Sequence, residues 1–114
     1  MALSELQRAS IARQLDRYCA PDPRPEVRSQ LRYGYEFGPS DVVLFEERPD
    51  FRNPVEWLRH DIAKFRWIAR RKQWELFCQF RDLKWRGYEP RPTAATFEEL
   101  LAEVEADPTC IFYG

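Results

Sequence analysis

Apolar residues recur at helical spacing in two segments of this chain, one near each end. The first segment predicts a helix over residues 5–19, and Ser4 stands where a capping box would begin it. The second predicts a helix over residues 97–106, with Thr96 in the equivalent capping position. An amphipathic helix must bury its apolar stripe, so each helix requires another layer to pack against.

Between the helices the apolar period changes to two, which indicates β-strands. The five predicted strands are about 31–37, 41–48, 61–68, 73–80 and 84–88. Residues 20–30 contain three prolines and are interpreted as a connector. Residues 49–60 contain two prolines and are predicted to form a loop whose aromatic side chains fold back onto the core.

These elements predict one α+β domain over residues 1–114, a five-stranded antiparallel meander sheet with an N-terminal helix and a C-terminal helix. The chain is long enough for one hydrophobic core and short for two. The apolar tail, residues 110–114, is expected to dock on the domain. Phe112 and Tyr113 would otherwise expose area worth about 1.5–3 kcal/mol each.

The register of the last three strands follows from counting outward from two hairpin tips, at 70–71 and 82–83. The facing pairs are Ala63 with Cys78, Phe65 with Leu76, Trp67 with Trp74, Cys78 with Gly87, and Phe80 with Trp85. Every member of these pairs is apolar or small, so they define a buried face. The other face would expose Lys64, Arg66, Phe77, Lys84, Arg86 and Tyr88.

Composition and charge narrow the class of protein. No apolar stretch reaches the roughly 18 residues that a membrane span needs, and the N-terminus lacks an export signal. The three cysteines form no disulfide or zinc pattern, so reduced thiols and a cytoplasmic location are expected. Residues 59–91 carry 10 Lys and Arg against 4 acids, whereas both flanking segments are net acidic. A basic central segment indicates either an anionic partner or pairing of its cations with acids of the same chain.

Two hypotheses of function follow. The first is a non-enzymatic binding or scaffold module whose exposed basic and aromatic face binds a protein or single-stranded nucleic acid. The alternative interpretation of this face is a solvated surface without a partner, whose cations pair with acids or lie over the aromatic rings. The second is a ligand pocket or weak catalytic site near residues 49–60, walled by Glu46, Arg48, Trp57 and His60. No catalytic, metal-binding or cofactor-binding motif is present in the sequence. The sequence also does not indicate an oligomeric state.

Four motifs occur in an order that resembles one known family. They are Leu44-Phe45-Glu46-Glu47-Arg48-Pro49, Trp74-Glu75-Leu76-Phe77, Lys84-Trp85-Arg86-Gly87-Tyr88 and Asp107-Pro108-Thr109-Cys110-Ile111-Phe112-Tyr113-Gly114. The chain resembles the bacterial family of domain of unknown function 3024 over nearly its whole length. It departs at Leu83, where the family tends to have glycine, and at Cys110 and Tyr113, which replace glycine and tryptophan. The resemblance implies no activity, cofactor or catalytic residue.

Overall fold

The computed structural model describes residues 2–113 and contains one sheet with helices on one side. Within these residues the helices are α1 (Glu5–Tyr18), α2 (Pro25–Arg28) and α3 (Phe97–Ala106). The strands are β1 (Arg32–Phe37), β2 (Asp41–Asp50), β3 (Asn53–Ile68), β4 (Gln73–Gln79), β5 (Trp85–Gly87) and β6 (Thr93–Ala94). No helix of this described part has the length and apolar character needed to cross a membrane.

The two long helices begin at the capping boxes that the sequence predicts. The hydroxyl of Ser4 accepts a hydrogen bond from the backbone N–H of Gln7, and the Gln7 side chain accepts one from Ser4 N–H. Thr96 and Glu99 make the same reciprocal pair at α3. Each box satisfies two backbone donors that a helix start would leave unpaired.

The strands pair antiparallel in chain order from β1 to β5, which confirms the predicted α+β meander. The short β6 was not predicted. It pairs with β4 beside β5, so residues 85–94 form one interrupted edge of the sheet. Tyr88 N–H donates to the Leu76 carbonyl and Pro92 accepts from Leu76 N–H, so only residues 89–91 between β5 and β6 leave the ladder, and Pro90 among them cannot donate to it.

Both long helices pack on one face, which we call the inner face. It carries the buried side chains Val42, Leu44, Ala63, Phe65, Trp74, Leu76 and Cys78. From α3, Phe97 places its ring 4.7 Å from that of Phe65 and 5.5 Å from that of Trp74, measured between centroids. The opposite, outer face of the sheet has no helix over it in the described chain.

The predicted register is right between β3 and β4 and wrong between β4 and β5. Cys78 faces Ala63 as predicted, but on its other side it faces Arg86 instead of Gly87. The loop between β4 and β5 has five residues, 80–84, and an odd loop length moves the pairing by one residue. Every side chain of β5 therefore lies on the face opposite to the predicted one.

The predicted loop over 49–60 is also wrong, because this segment continues the hairpin of β2 and β3. Only residues 51–52 lie between these strands, and the side chain of Phe51 is 87% exposed instead of folding onto the core. A β-bulge in the hairpin leaves Ile62 without a facing residue, since Leu44 pairs with Ala63 and Phe45 pairs with Asp61.

Two of the departures from the resembling family fall where the backbone is left-handed. Leu83 has a φ of 62° and Cys110 a φ of 61°. Glycine adopts this conformation without a steric penalty, whereas a side chain makes it unfavourable. The local backbone therefore explains why glycine suits both positions.

Candidate functional site

Four aromatic side chains lie on the outer face of the sheet. They are Phe45 on β2, Trp57 on β3, Phe77 on β4 and Trp85 on β5. Phe45 lies over Gly34 of β1, where an added Cβ would stand 2.7 Å from its ring. Glycine at this position thus lets the ring lie flat on the neighbouring strand.

A cationic side chain lies over each of these rings. The guanidinium carbon is 4.0 Å from the Trp57 centroid for Arg32 and 5.0 Å from the Phe77 centroid for Arg66. The ammonium group of Lys64 lies between Phe77 and Trp85, 5.7 and 5.9 Å from their centroids. Such contacts hold long cationic side chains against the sheet.

The same cations are paired with carboxylates from neighbouring strands. Arg66 donates to Glu75 at 2.7 Å, across the β3–β4 pair that the sequence predicts. Arg32 donates to Glu47 at 3.1 Å, and Lys64 lies 3.9 Å from the Asp41 carboxylate. Because each pair joins two strands, the register of the sheet determines which charged side chains lie close enough to pair.

Arg59 differs from the other three cations because it pairs with two carboxylates. It donates to Asp61 at 2.7 Å and to Glu36 at 3.0 Å, and it lies 4.1 Å from the centroid of Phe45. Burial lowers the pKa of Arg59, but the hydrogen bonds to Asp61 and Glu36 outweigh it and hold the pKa above its usual value. The bulge at Ile62 places Arg59 and Asp61 on this face by reversing the strand's alternation.

The ion-paired groups make the outer face mixed in charge instead of basic. The cations are Arg32, Arg59, Lys64 and Arg66, and the carboxylates are Glu36, Asp41, Glu47, Asp61 and Glu75. Four positive groups are therefore matched by five negative ones. Acids that β1 and β2 contribute therefore offset the cations that β3 places on this face.

The structure brings together only three of the six residues predicted for the exposed face: Lys64, Arg66 and Phe77. Tyr88 is 2% exposed on the inner side, where its hydroxyl donates to Glu103 at 3.0 Å. Arg86 lies on that side too, paired with Asp82 at 2.6 Å, and Lys84 lies in the β4–β5 loop. The one-residue register shift accounts for these corrections.

Three of the four residues of the alternative pocket lie on one side of the hairpin, and the fourth lies on the other. Glu46 and His60 face each other, and Arg48 is on the same side, 3.5 Å from Glu46. Trp57 lies on the opposite face under Arg32. The predicted pocket depended on a folded loop, and in the extended hairpin Trp57 is separated from the other three residues.

A cavity of about 670 Å³ lies between α1 and α3 and is lined by Arg17, Tyr33 and Glu105 among others. Residues 2–113 hold no group of three or more His, Cys, Asp or Glu side chains that could bind a metal ion. The cysteines among them are free, and Cys78 is buried, where burial raises its thiol pKa.

Sequence reasoning missed several members of the outer face. Phe45 and Glu36 could have been placed there by simple alternation along their strands. Arg59 and Trp57 could not, because they lie in the segment predicted as a loop and beyond the bulge. Trp85 was assigned to the inner face by the incorrect register.

The fold and this face define an α+β domain with helices on one side of a meander sheet. On the other side lies a face of aromatic rings and ion pairs that no helix of residues 2–113 covers. No curated protein and no solved structure matches the chain. A family model does: Domain of unknown function (DUF3024) matches residues 3–114. The chain belongs to this family.

Proposed function

We propose that the chain is a non-enzymatic protein-binding module that uses the outer face of its sheet. The observation that carries this proposal is the set of four rings, each covered by a cation, on a sheet face that no helix of the described residues covers. Protein interfaces are enriched in aromatic residues and arginine, and such residues supply most binding hot spots.

The charge balance favours a protein partner over a nucleic acid. Phosphate binding needs cations that are free to replace counterions, whereas the cations of this face are already paired with carboxylates. A protein surface with its own mixed charges can exchange these ion pairs and stack against the rings. We place the module in the cytoplasm, in keeping with its free thiols.

A photo-crosslinking amino acid at Val43 tests the proposal. Val43 lies on the outer face, where it faces Lys64 and Glu36, and Glu105 is an exposed control position on α3. In the cells that naturally produce the chain, Val43 should give a discrete adduct with another protein that Glu105 does not give. Identical adducts from both positions, or none from Val43, would contradict the proposal.

The identified partner then allows a quantitative test. Phe77→Ala should weaken binding about 10–30-fold, the range expected for truncating an aromatic hot spot. Leu6→Ala, an exposed residue of α1, should leave the affinity unchanged.

Fluorescence anisotropy with single-stranded DNA and RNA tests the competing partner. We expect no saturable binding at low salt. Binding that weakens with salt and with Lys64→Glu would favour a nucleic acid and overturn the proposal.

A further inference from the structure

The β3 strand loses one of its neighbours partway along the sheet, which leaves a free edge. β4 pairs with β3 only from Ala63 onward, and β4 ends at Gln79, where the chain turns toward β5. The earlier part of β3, residues 53–61, faces β2 on one side and no strand of residues 2–113 on the other. The end of β4 and this edge form a step in the sheet, which a strand in line with β4 would fill.

The direction of the backbone groups along β2 follows from two hydrogen bonds. The N–H of Gly38 donates to the carbonyl of Asp41, so odd-numbered residues of β2 direct their backbone groups at β1. Even-numbered residues direct theirs at β3, and the carbonyl of Ser40 accepts from Trp67 of β3 as this alternation requires. The bulge adds its extra residue to β3, so the alternation of β2 continues unbroken to Arg48.

Two residues of the free edge therefore direct their backbone groups away from β2. Arg48 faces Leu58, so Leu58 bonds to β2, and its neighbours Trp57 and Arg59 direct their N–H and C=O groups at the open side. The opposite edge of the same hairpin is blunted, because Pro49 of β2 points to that side and has no N–H. The step at β3 thus presents donors and acceptors at the spacing of a strand.

Exposed apolar side chains border this edge. Val55 and Leu58 on β3 are 83% and 46% exposed. Phe80 and Leu83, in the loop that follows β4, are 48% and 73% exposed. Apolar side chains beside unpaired backbone groups are typical of a surface that adds a strand from another molecule.

We propose that an extended segment of a partner protein adds to β3 as an antiparallel strand opposite residues 55–59. The segment carries an aliphatic residue facing Leu58 and, two positions later, a lysine or arginine facing Glu56. Glu56 is exposed and belongs to none of the ion pairs that the described hairpin forms. Facing side chains of antiparallel strands lie in contact, so an apolar pair and an opposite-charge pair stabilise the addition.

The segment fits the step without meeting β4. Cys78 faces Ala63, so Gln79, the last residue of β4, lies at the level of Ile62. A segment opposite residues 55–59 ends before that level. The inference deepens the proposed function, because it names how a protein partner engages the edge next to the outer face.

A peptide library tests the chemistry of the segment. Random twelve-residue peptides displayed on phage are selected on the immobilised chain, and the enriched peptides are synthesised and measured by calorimetry. They should share an aliphatic residue followed two positions later by lysine or arginine. Glu56→Lys should weaken their binding about fivefold, whereas Glu105→Lys, the same change at an exposed site of α3, should not. A library without a saturable binder, or equal effects of the two substitutions, would overturn the proposal.

Proline at position 59 tests the backbone contact. Arg59→Ala removes the side chain and keeps the N–H, whereas Arg59→Pro also removes the N–H at an edge position, where proline is tolerated. The proline should weaken the selected peptides about tenfold relative to the alanine variant. Equal affinities of the two variants would contradict strand addition. If Phe77→Ala weakened the peptides as much as Arg59→Pro, the peptides would bind the outer face and the inference would be wrong.

Hydrogen exchange of the wild-type chain, followed by NMR, gives a readout without any substitution. In the free chain the amides of Trp57 and Arg59 should exchange faster than those of Leu58 and His60, and saturating peptide should slow both of them about tenfold or more. Trp57 and Arg59 amides that are protected without peptide would contradict a free edge. A wild-type dimer in sedimentation equilibrium that Arg59→Pro dissociates would assign the edge to a second copy instead. The crosslink at Val43 tests the outer face alone, so either proposal can fail without the other.

Discussion

Replacing Phe112 by alanine should destabilise the domain, although this residue is nearly at the chain end. Phe112 is 8% exposed, and its ring lies 4.9 Å from that of the buried Tyr88. Asp107 ends α3 in a left-handed conformation and holds the tail, since its carboxylate accepts from the backbone N–H of Phe112 at 3.1 Å and of Tyr113 at 2.9 Å. The tail therefore closes one end of the core.

The expected magnitude follows from this burial. Truncating a buried phenylalanine costs about 3–5 kcal/mol in a rigid core. The tail can relax into part of the space, so we expect about 2–3 kcal/mol for Phe112→Ala. For a chain of this size that corresponds to a Tm lower by about 8–12 °C.

Thermal and urea unfolding followed by circular dichroism measure this loss. Tyr113→Ala is the matched control. Its side chain is 38% exposed and contacts Tyr33 only at the edge, with centroids 6.3 Å apart, so its loss should stay below about 1 kcal/mol. If Phe112→Ala unfolds at the wild-type temperature, the tail does not contribute to the core and the reasoning is refuted.

Three further outcomes are expected. Cys110→Gly should stabilise the domain by about 0.5–1 kcal/mol in urea unfolding. Removing the side chain relieves the steric energy of the left-handed backbone, and this gain exceeds the cost of the greater conformational entropy that glycine gives the unfolded chain. A loss of stability would contradict this prediction. Gly34→Ala should cost about 1–3 kcal/mol through its clash with a ring, whereas Gly87→Ala, with nothing within 4 Å, should change stability by less than about 0.5 kcal/mol. A hydrogen bond to a carboxylate of α1 raises the pKa of Tyr35 from 10.0 to about 12. The stability that this bond contributes is complete below pH 10 and is lost as the pH rises to 12. The free energy of unfolding should therefore fall less steeply between pH 10 and 12 in Tyr35→Phe than in the wild type. Parallel plots of this free energy against pH would contradict the prediction.

Much of the fold could be predicted because it depends on local patterns. Capping boxes and helical periodicity identify α1 and α3 from neighbouring residues alone. The pairing of Ala63 with Cys78 could also be predicted, since the loop between β3 and β4 is symmetric about the assumed tip. The pairing of β5 could not, because the left-handed Leu83 allows an odd loop length that the residue types did not indicate.

The candidate site was predicted only in its central part. Lys64, Arg66 and Phe77 were placed correctly, because alternation along β3 and β4 is regular there. Tyr88 was misplaced by the register of β5, and Arg59 was missed because of the bulge at Ile62. Arg59 also lies in the segment predicted as a loop. The β5 register and the bulge each differ from the prediction by a single residue, which moves all following side chains to the other face.

The amino-acid sequence by itself determined the α+β class, the helix starts, the meander order and the central pairing, because these follow from periodicity and short-range hydrogen bonding. The tertiary structure decided how far the β2–β3 hairpin extends, which face Tyr88 occupies and which acids neutralise the central cations. These features depend on contacts between residues distant in the chain. Half of the ten cations of the basic segment seen in the sequence are consequently ion-paired in the folded protein, Arg59, Lys64 and Arg66 among them, and the predicted loop is part of an extended hairpin.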